Sequence, residues 1–394
     1  MVNSSVYSTE TGVELADVVR RFGPKYTAQY GHLMMPSQKR ALADIAACCT
    51  PEMGGSLYQC HDCDQSFWRF HGCRNRACPK CHGKQTQEWL ERRQAELLPC
   101  DYFHGVATVP SELHHAFRRN QKFMYGLLMR VSAEALRELC AKKRHLGAMP
   151  GLLSVLHTSN AQLGYHPHAH MLITGGGITS DGDHWEPARG EFLVPVGVLS
   201  RKIAAKFRDA LKKQKPDLFA DIPAVAWRRE WVSFLKHYGH GNDAVLNYLS
   251  RYVFRTAISN ARILALDQAH VTFRYKDRGS DTWRSMRLEG VAFLRRFLQH
   301  VLPRGFHKVR YYGLWHASKR DLASRAWLLL ILQKPSDTAC PPKIADLLDA
   351  LGQLAELDEH SRDRAELDDA DPSCPYCGST CTSLLAQCPN FGEP

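Results

Sequence analysis

The segment YQCHDCDQSFWRFHGCRNRACPKCHG, residues 58–83, holds two C-x2-C pairs, Cys60 with Cys63 and Cys78 with Cys81, separated by fourteen residues. Each pair can close a tight turn around a tetrahedral ion, and four thiolates complete a closed structural zinc site. A zinc ribbon or treble-clef-like knuckle is therefore expected here. Cys73, His61, His71 and His82 lie in the same stretch as second choices of ligand. Near the C-terminus, Cys374, Cys377, Cys381 and Cys388 form a candidate second zinc site with one tight pair. Cys48, Cys49, Cys100, Cys140 and Cys340 are scattered and read as small core residues.

Composition narrows the partners. The 394 residues are 44% hydrophobic and 23% charged, ordinary for a soluble globular protein. With no apolar run of about 18 residues and no signal-peptide pattern in MVNSSVYSTETGVELADVV, no membrane segment is expected and the cytosol is the default address. The net charge is +11, yet Ile344–Asp371 alone carries −8, leaving +19 on the rest of the chain. Such an excess suits a polyanion, with nucleic acid the leading candidate and a nucleoid association following from it. Arg74, Arg76 and Lys80, beside Phe67, Trp68 and Phe70, mix charge with flat side chains as phosphate contact and base stacking require.

Periodicity predicts helices over the first 50 residues, a basic helix over 84–98, a strand in YFHGVATVP stopped by Pro110, and a long helix capped by Ser111. GLLSVLHTS and PHAHMLITG then read as a hairpin turning at Asn160–Gly164. Basic helices over 199–213 and 243–259, a second hairpin in HVTFRYKD and TWRSMRLEG, and the helix AFLRRFLQHVLP follow. This order is an α+β plan with a central antiparallel sheet flanked by helices, plus an N-terminal zinc-binding module.

Two features carry chemistry. In GYHPHAHMLITGGG, His166, His168 and His170 alternate, so on a strand they share a face; Pro167 makes His168 and His170 the firmer pair. Paired imidazoles leave a divalent cation open positions for a reactant. In LNYLSRYVFRTAIS, Tyr248 and Tyr252 stack one turn apart on a helix. A phenolic oxygen is a competent covalent nucleophile. Arg251 and Arg255 flank the pair as candidates to hold a scissile phosphate, with solvated helix charges as the alternative.

The ordered motifs GCRNRACPKCHG, HPHAHMLITGGG, NYLSRYVFRTAISNARI, VTFRYKD and FLRRFLQHVLPRGFHKVRYYGLW resemble the two-tyrosine rolling-circle transposases of the insertion sequence ninety-one family, over residues 15 to 320. These are HUH endonucleases, named for a His-hydrophobic-His strand. The resemblance implies magnesium or manganese on His168 and His170, with His166 the nearest candidate for a third ligand. It implies catalytic tyrosines at Tyr248 and, one helical turn on, Tyr252, with a tyrosine attacking single-stranded DNA at element termini and target and leaving a 5′-phosphotyrosine and a free 3′-hydroxyl. It also implies three segments: helices and zinc module (1–99), HUH catalytic domain (100–320), and an acidic tail carrying the candidate second zinc site (321–394).

The covalent bond conserves the phosphodiester's free energy, and no G-x-x-x-x-G-K motif is present, so no nucleotide cofactor is expected. Two alternatives stand beside this reading. One is a plasmid rolling-circle replication initiator using the same reaction; the other is a non-catalytic zinc-ribbon DNA-binding regulator.

Overall fold

A computed structural model describes residues 12–81, 97–241, 245, 248, 252, 256–277, 279–280, 282–333 and 372–388. The helix expected over 84–98 falls almost wholly outside these residues, as do Arg251, Arg255 and the acidic stretch before residue 372.

Two short helices, α1 (Leu15–Tyr30) and α2 (Pro36–Ala47), lead into the hairpin β1 (Gly55–Cys60) and β2 (Ser66–Phe70). Next come β3 (Asp101–Thr108), α3 (Gln121–Cys140), β4 (Gly151–Ser159), β5 (Tyr165–Thr174), β6 (Gly176–Ile178) and β7 (Trp185–Pro187). The chain continues through α4 (Val196–Gln214), β8 (Val232–His240), β9 (Ile263–Leu266), β10 (His270–Lys276), β11 (Trp283–Glu289), α5 (Gly290–Leu298), β12 (Val309–Gly313), α6 (Arg320–Gln333) and β13 (Thr382–Cys388). The helix expected to run on from Ser111 breaks at Asn120, and α3 starts afresh behind it. Asparagine weakens a helix interior because its side chain competes with the backbone for hydrogen bonds.

The central sheet has the order β12-β4-β5-β3-β8, with every neighbour antiparallel. The expected hairpin forms its middle pair, and Asn160 closes the turn by accepting from the Gln162 and Gly164 backbone N–H groups. β4 and β5 are buried along nearly their whole length, which explains their near-continuous apolar sequence. On one face Ala169, Met171, Ile173, Leu152 and Leu156 pack with α3 and α4. In α3 the buried Met124, Leu128, Val131 and Ala135 recur at helical spacing and supply that contact. The opposite face carries His168 and His170, with Leu172, Val155 and Tyr102, and α6 covers part of it through Ala326 and Leu330.

A second core joins distant segments. Val18, Val19 and Phe22 of α1 and Ile45 of α2 pack with Ile263, Val271, Phe273, Phe293 and Phe297 from the β9–β11 sheet and α5. At Gly290 an added Cβ would lie 2.2 Å from the Phe22 ring, so glycine is what lets α5 meet α1. The segment 1–99 thus shares its core with residues 258–301, and β13 of the C-terminal segment pairs with β1.

The three glycines after β5 have a packing reason. A Cβ at Gly175 would meet the Asp101 backbone at 2.7 Å, at Gly176 the Glu186 carbonyl at 2.7 Å, and at Gly177 the Met149 carbonyl at 2.6 Å. All three obstacles include backbone, which cannot rotate away. We predict that Gly177→Ala destabilises the protein by about 3 kcal/mol, the upper end of overpacking costs. An unchanged urea midpoint would show that this strand end relaxes freely.

Candidate functional site

Strand alternation places His168 and His170 on one face of β5, and the hairpin register sets His157 of β4 directly opposite His168. All three imidazoles are buried, and one nitrogen of each lies within 4.8 Å of the others. Their outer nitrogens are committed elsewhere. A carbonyl only accepts, so His168 donates through Nδ1 to the His166 carbonyl at 2.6 Å, and His157 donates through Nε2 to the Tyr252 carbonyl at 2.5 Å. His170 Nδ1 lies 2.9 Å from Nε2 of His104, a β3 residue that burial pushes down to a pKa of about 4. Nε2 of His170 and Nε2 of His168 lie 3.0 Å apart, at hydrogen-bond distance.

Imidazoles whose outer nitrogens are held by other groups while their inner nitrogens converge are the arrangement of metal-bound histidines, so these residues fit a divalent ion. The third member is His157, not His166. Between the pairs His157–His168 and Ser159–Tyr165, two residues of β5, His166 and Pro167, oppose Thr158 alone. This bulge breaks the alternation and re-aims His166. Its ring lies 5.1 Å from that of His168 and 6.2 Å from that of His114, outside the trio. The strand also begins before Pro167, which the bulge accommodates, rather than at it. His157 was recoverable from sequence by folding the hairpin about its turn; His104, on a separate strand, was not.

Over the trio lie the two tyrosines. The Tyr252 ring centroid is 4.3 Å from that of His170 and 4.8 Å from that of His104. Tyr248 sits farther in, 4.9 Å from Tyr252, 5.5 Å from His104 and 5.7 Å from Tyr238. Its side chain is fully buried and its hydroxyl has no hydrogen-bond partner among the described residues. Burial first, then the neighbouring phenols of Tyr252 and Tyr238, holds its pKa well above 10.

The cysteines gather differently from their spacing in sequence. Cys60, Cys63, Cys78 and Cys81 do not form one site. Cys78 and Cys81 meet Cys48 and Cys73, while Cys60 and Cys63 meet Cys374 and Cys377. The reason is the β1–β2 hairpin. Cys60 ends β1, and the five residues of β2 carry the chain back along it, about 17 Å at strand rise, before the second pair begins. Cys48, expected to be a core residue, closes the first quartet from the end of α2, its sulfur 3.6 Å from Cys81 and 3.7 Å from Cys78. Cys73 lies 3.7 Å from Cys81 and its N–H donates to Cys48 Sγ. Zinc–sulfur bonds of about 2.3 Å give tetrahedral sulfur–sulfur edges of about 3.8 Å, so this quartet fits structural zinc.

Two of the three cations on this knuckle serve the fold. Arg76 donates to the carbonyls of Leu302, Pro303 and Phe306, and Lys80 pairs with Glu14 at 2.9 Å. Arg74 remains exposed, in a left-handed conformation. Arg251 and Arg255 lie outside the described residues.

Residues 151–322, which include the trio and both tyrosines, match a family model described as a putative transposase; residues 18–109 match a transposase zinc-binding domain. The chain is 39% identical over 361 residues to the putative transposase y4qJ of Sinorhizobium fredii, covering 86% of this chain and 90% of that protein. It is 29% identical over 287 residues to the transposase for insertion sequence element IS801 of Pseudomonas savastanoi pv. phaseolicola, 68% of each chain. No solved structure matches the chain significantly. Among the described residues, no helix is long and apolar enough to cross a membrane.

Proposed function

Since the chain belongs to the transposases of the insertion sequence ninety-one family, we propose that it cuts and rejoins single-stranded DNA at element ends through tyrosine attack beside the histidine trio. The observation that carries this reading is the closeness of the Tyr252 ring to that of His170, centroids 4.3 Å apart, beside a cluster whose ring nitrogens converge. His157, His168 and His170 would hold magnesium or manganese, whose chemistry when bound is Lewis-acid polarisation of the scissile phosphoryl oxygen.

The chain's own residues supply the rest. The Tyr252 oxygen forms a bond to phosphorus as the bond from phosphorus to the 3′ oxygen breaks; the phenolic proton ends, through solvent, on that 3′ oxygen. The products are a 5′-phosphotyrosine and a 3′-hydroxyl. Rejoining reverses these bonds with another 3′-hydroxyl as attacker, so the phosphodiester energy is retained and no nucleotide is consumed. His104 holds the His170 ring in place through their 2.9 Å contact. Tyr248, one turn away, provides the second nucleophile that a cut-and-rejoin sequence needs.

The two named relatives are transposases, which favours element ends over a plasmid replication origin. A purely regulatory zinc protein would have no use for three buried histidines converging beside two tyrosines. The test is to incubate the protein with labelled single-stranded element ends and magnesium or manganese, then to look for a covalent species on a denaturing gel. His170→Ala is expected to lower adduct formation about a thousandfold, the equivalent of roughly 4 kcal/mol of lost electrophilic help, with DNA binding retained. An adduct that forms equally well in the variant, or without any divalent ion, would overturn the assignment.

A further inference from the structure

We propose that Cys60, Cys63, Cys374 and Cys377 form a second structural zinc site, which clips the C-terminal strand onto the N-terminal module. Cys374 and Cys377 lie beyond both regions that the transposase family models match. In the fold they complete a ribbon whose other half is at residue 60. Cys60 Sγ is 3.6 Å from Cys377 Sγ, 317 residues away, and Cys63 Sγ is 3.5 Å from Cys374 Sγ, 311 residues away. All four sulfurs lie within 4.8 Å of one another, near the edges of about 3.8 Å that a tetrahedral zinc thiolate requires.

The two halves are built alike. In each, a C-x2-C pair is followed at once by a residue with left-handed backbone, Asp64 at φ 56° and Gly378 at φ 78°. That conformation turns the chain back, so the Cys60 N–H donates to the Gln65 carbonyl and the Cys374 N–H to the Ser379 carbonyl. The knuckles are joined directly, since Ser379 Oγ donates to Asp62 and the His61 N–H donates to the Cys381 carbonyl. β13 then runs antiparallel to β1 from Cys60–Thr382 to Gly55–Cys388. The candidate C-terminal quartet therefore divides: Cys374 and Cys377 enter the site, while Cys381 and Cys388 stay out of it.

The need for a metal follows from the core. Tyr58, Phe67, Cys60 and Cys374 are the buried hydrophobic cluster of this three-stranded sheet, with Cys63 partly buried against them. So small a cluster cannot offset the ordering of three strands, and modules of this size depend on a staple. Zinc binding supplies it, each thiol releasing its proton as it becomes a ligand.

Cobalt substitution in the full-length chain tests the proposal, because thiolate-to-cobalt charge-transfer absorbance reports the cysteine sites without interference from the histidines. The pair C374S/C377S should remove half of that absorbance, and C60S/C63S the same half. Combining all four substitutions should remove no more than either pair. C381S/C388S should retain all of it, and serves as a folded control for changes in the C-terminal segment. Loss of all absorbance in the fourfold variant, or a loss in C381S/C388S, would show that the pairs belong to separate sites and would overturn the proposal. With zinc bound, β13 should resist proteolysis; chelation should expose it while the Cys48 quartet, none of whose ligands is exposed as Cys377 is, still holds its metal.

Discussion

Replacing Tyr252 by phenylalanine is expected to lower formation of the covalent protein–DNA adduct by about four orders of magnitude or more, the scale on which the loss of a covalent nucleophile registers. Single-stranded DNA binding should persist, since the substitution removes one oxygen. The expectation rests on position. Tyr252 packs its ring against His170 and stacks on His104, and its own carbonyl anchors His157, so its backbone and ring are both tied to the trio. Tyr248 lies behind it, fully buried, with no hydrogen-bond partner for its hydroxyl among the described residues. A phenol held well above pKa 10 by burial is a poor first attacker. Tyr248→Phe should therefore still form the first adduct and stall before joining is complete. Single-turnover gels with a labelled 5′ segment separate the two stages. Should Tyr252→Phe react at the wild-type rate while Tyr248→Phe does not, the order inferred from the fold is wrong and Tyr248 is the first nucleophile.

The second large effect is on folding. Cys78→Ser is expected to abolish zinc at the Cys48 quartet and to unfold the core shared by α1, α2, α5 and the β9–β11 sheet. Cys78 is 3% exposed and belongs to that core, so its replacement removes a ligand and leaves a hydroxyl buried among apolar groups. Structural zinc contributes about 10–16 kcal/mol of apparent folding free energy, which matches or exceeds the roughly 5–15 kcal/mol by which domains are stable. The central sheet has its own core with α3 and α4 and should survive. Limited proteolysis would then release fragments from residues 12–81 and 258–301 while leaving residues 101–240 intact. A variant that keeps its full metal content and wild-type protease resistance would remove zinc from the account of how this half folds.

Much of the plan was legible in the residues. Two apolar runs around Asn160–Gly164 can only be a hairpin when both are about nine residues long and rich in β-branched and aliphatic side chains. Alternation then gives His168 and His170 one face, and helical spacing brings Tyr248 and Tyr252 together. The family resemblance joined these pieces correctly at the level of a transposase with a zinc-binding module. What misled was proximity along the chain. His166 is two residues from His168, yet a bulge at Pro167 turns it away, while His157 reaches the site from the neighbouring strand. Arg76 and Lys80 looked like surface cations because they follow a knuckle, but carbonyls of residues 302–306 and the carboxylate of Glu14 had already claimed them.

The cysteines divide the two kinds of information most clearly. Sequence alone determined that C-x2-C pairs would make tight metal-binding turns, because a turn is a local object whose geometry depends on a few neighbouring dihedrals. It could not determine which turn would face which. A five-residue strand separates Cys63 from Cys78 by more than the reach of one ion, while pairing of β13 with β1 erases a gap of more than three hundred residues. Metal ligation acts over about 2 Å and demands all its ligands at once. Which of the local motifs become a site is therefore decided by the strand register and core packing that bring their atoms together.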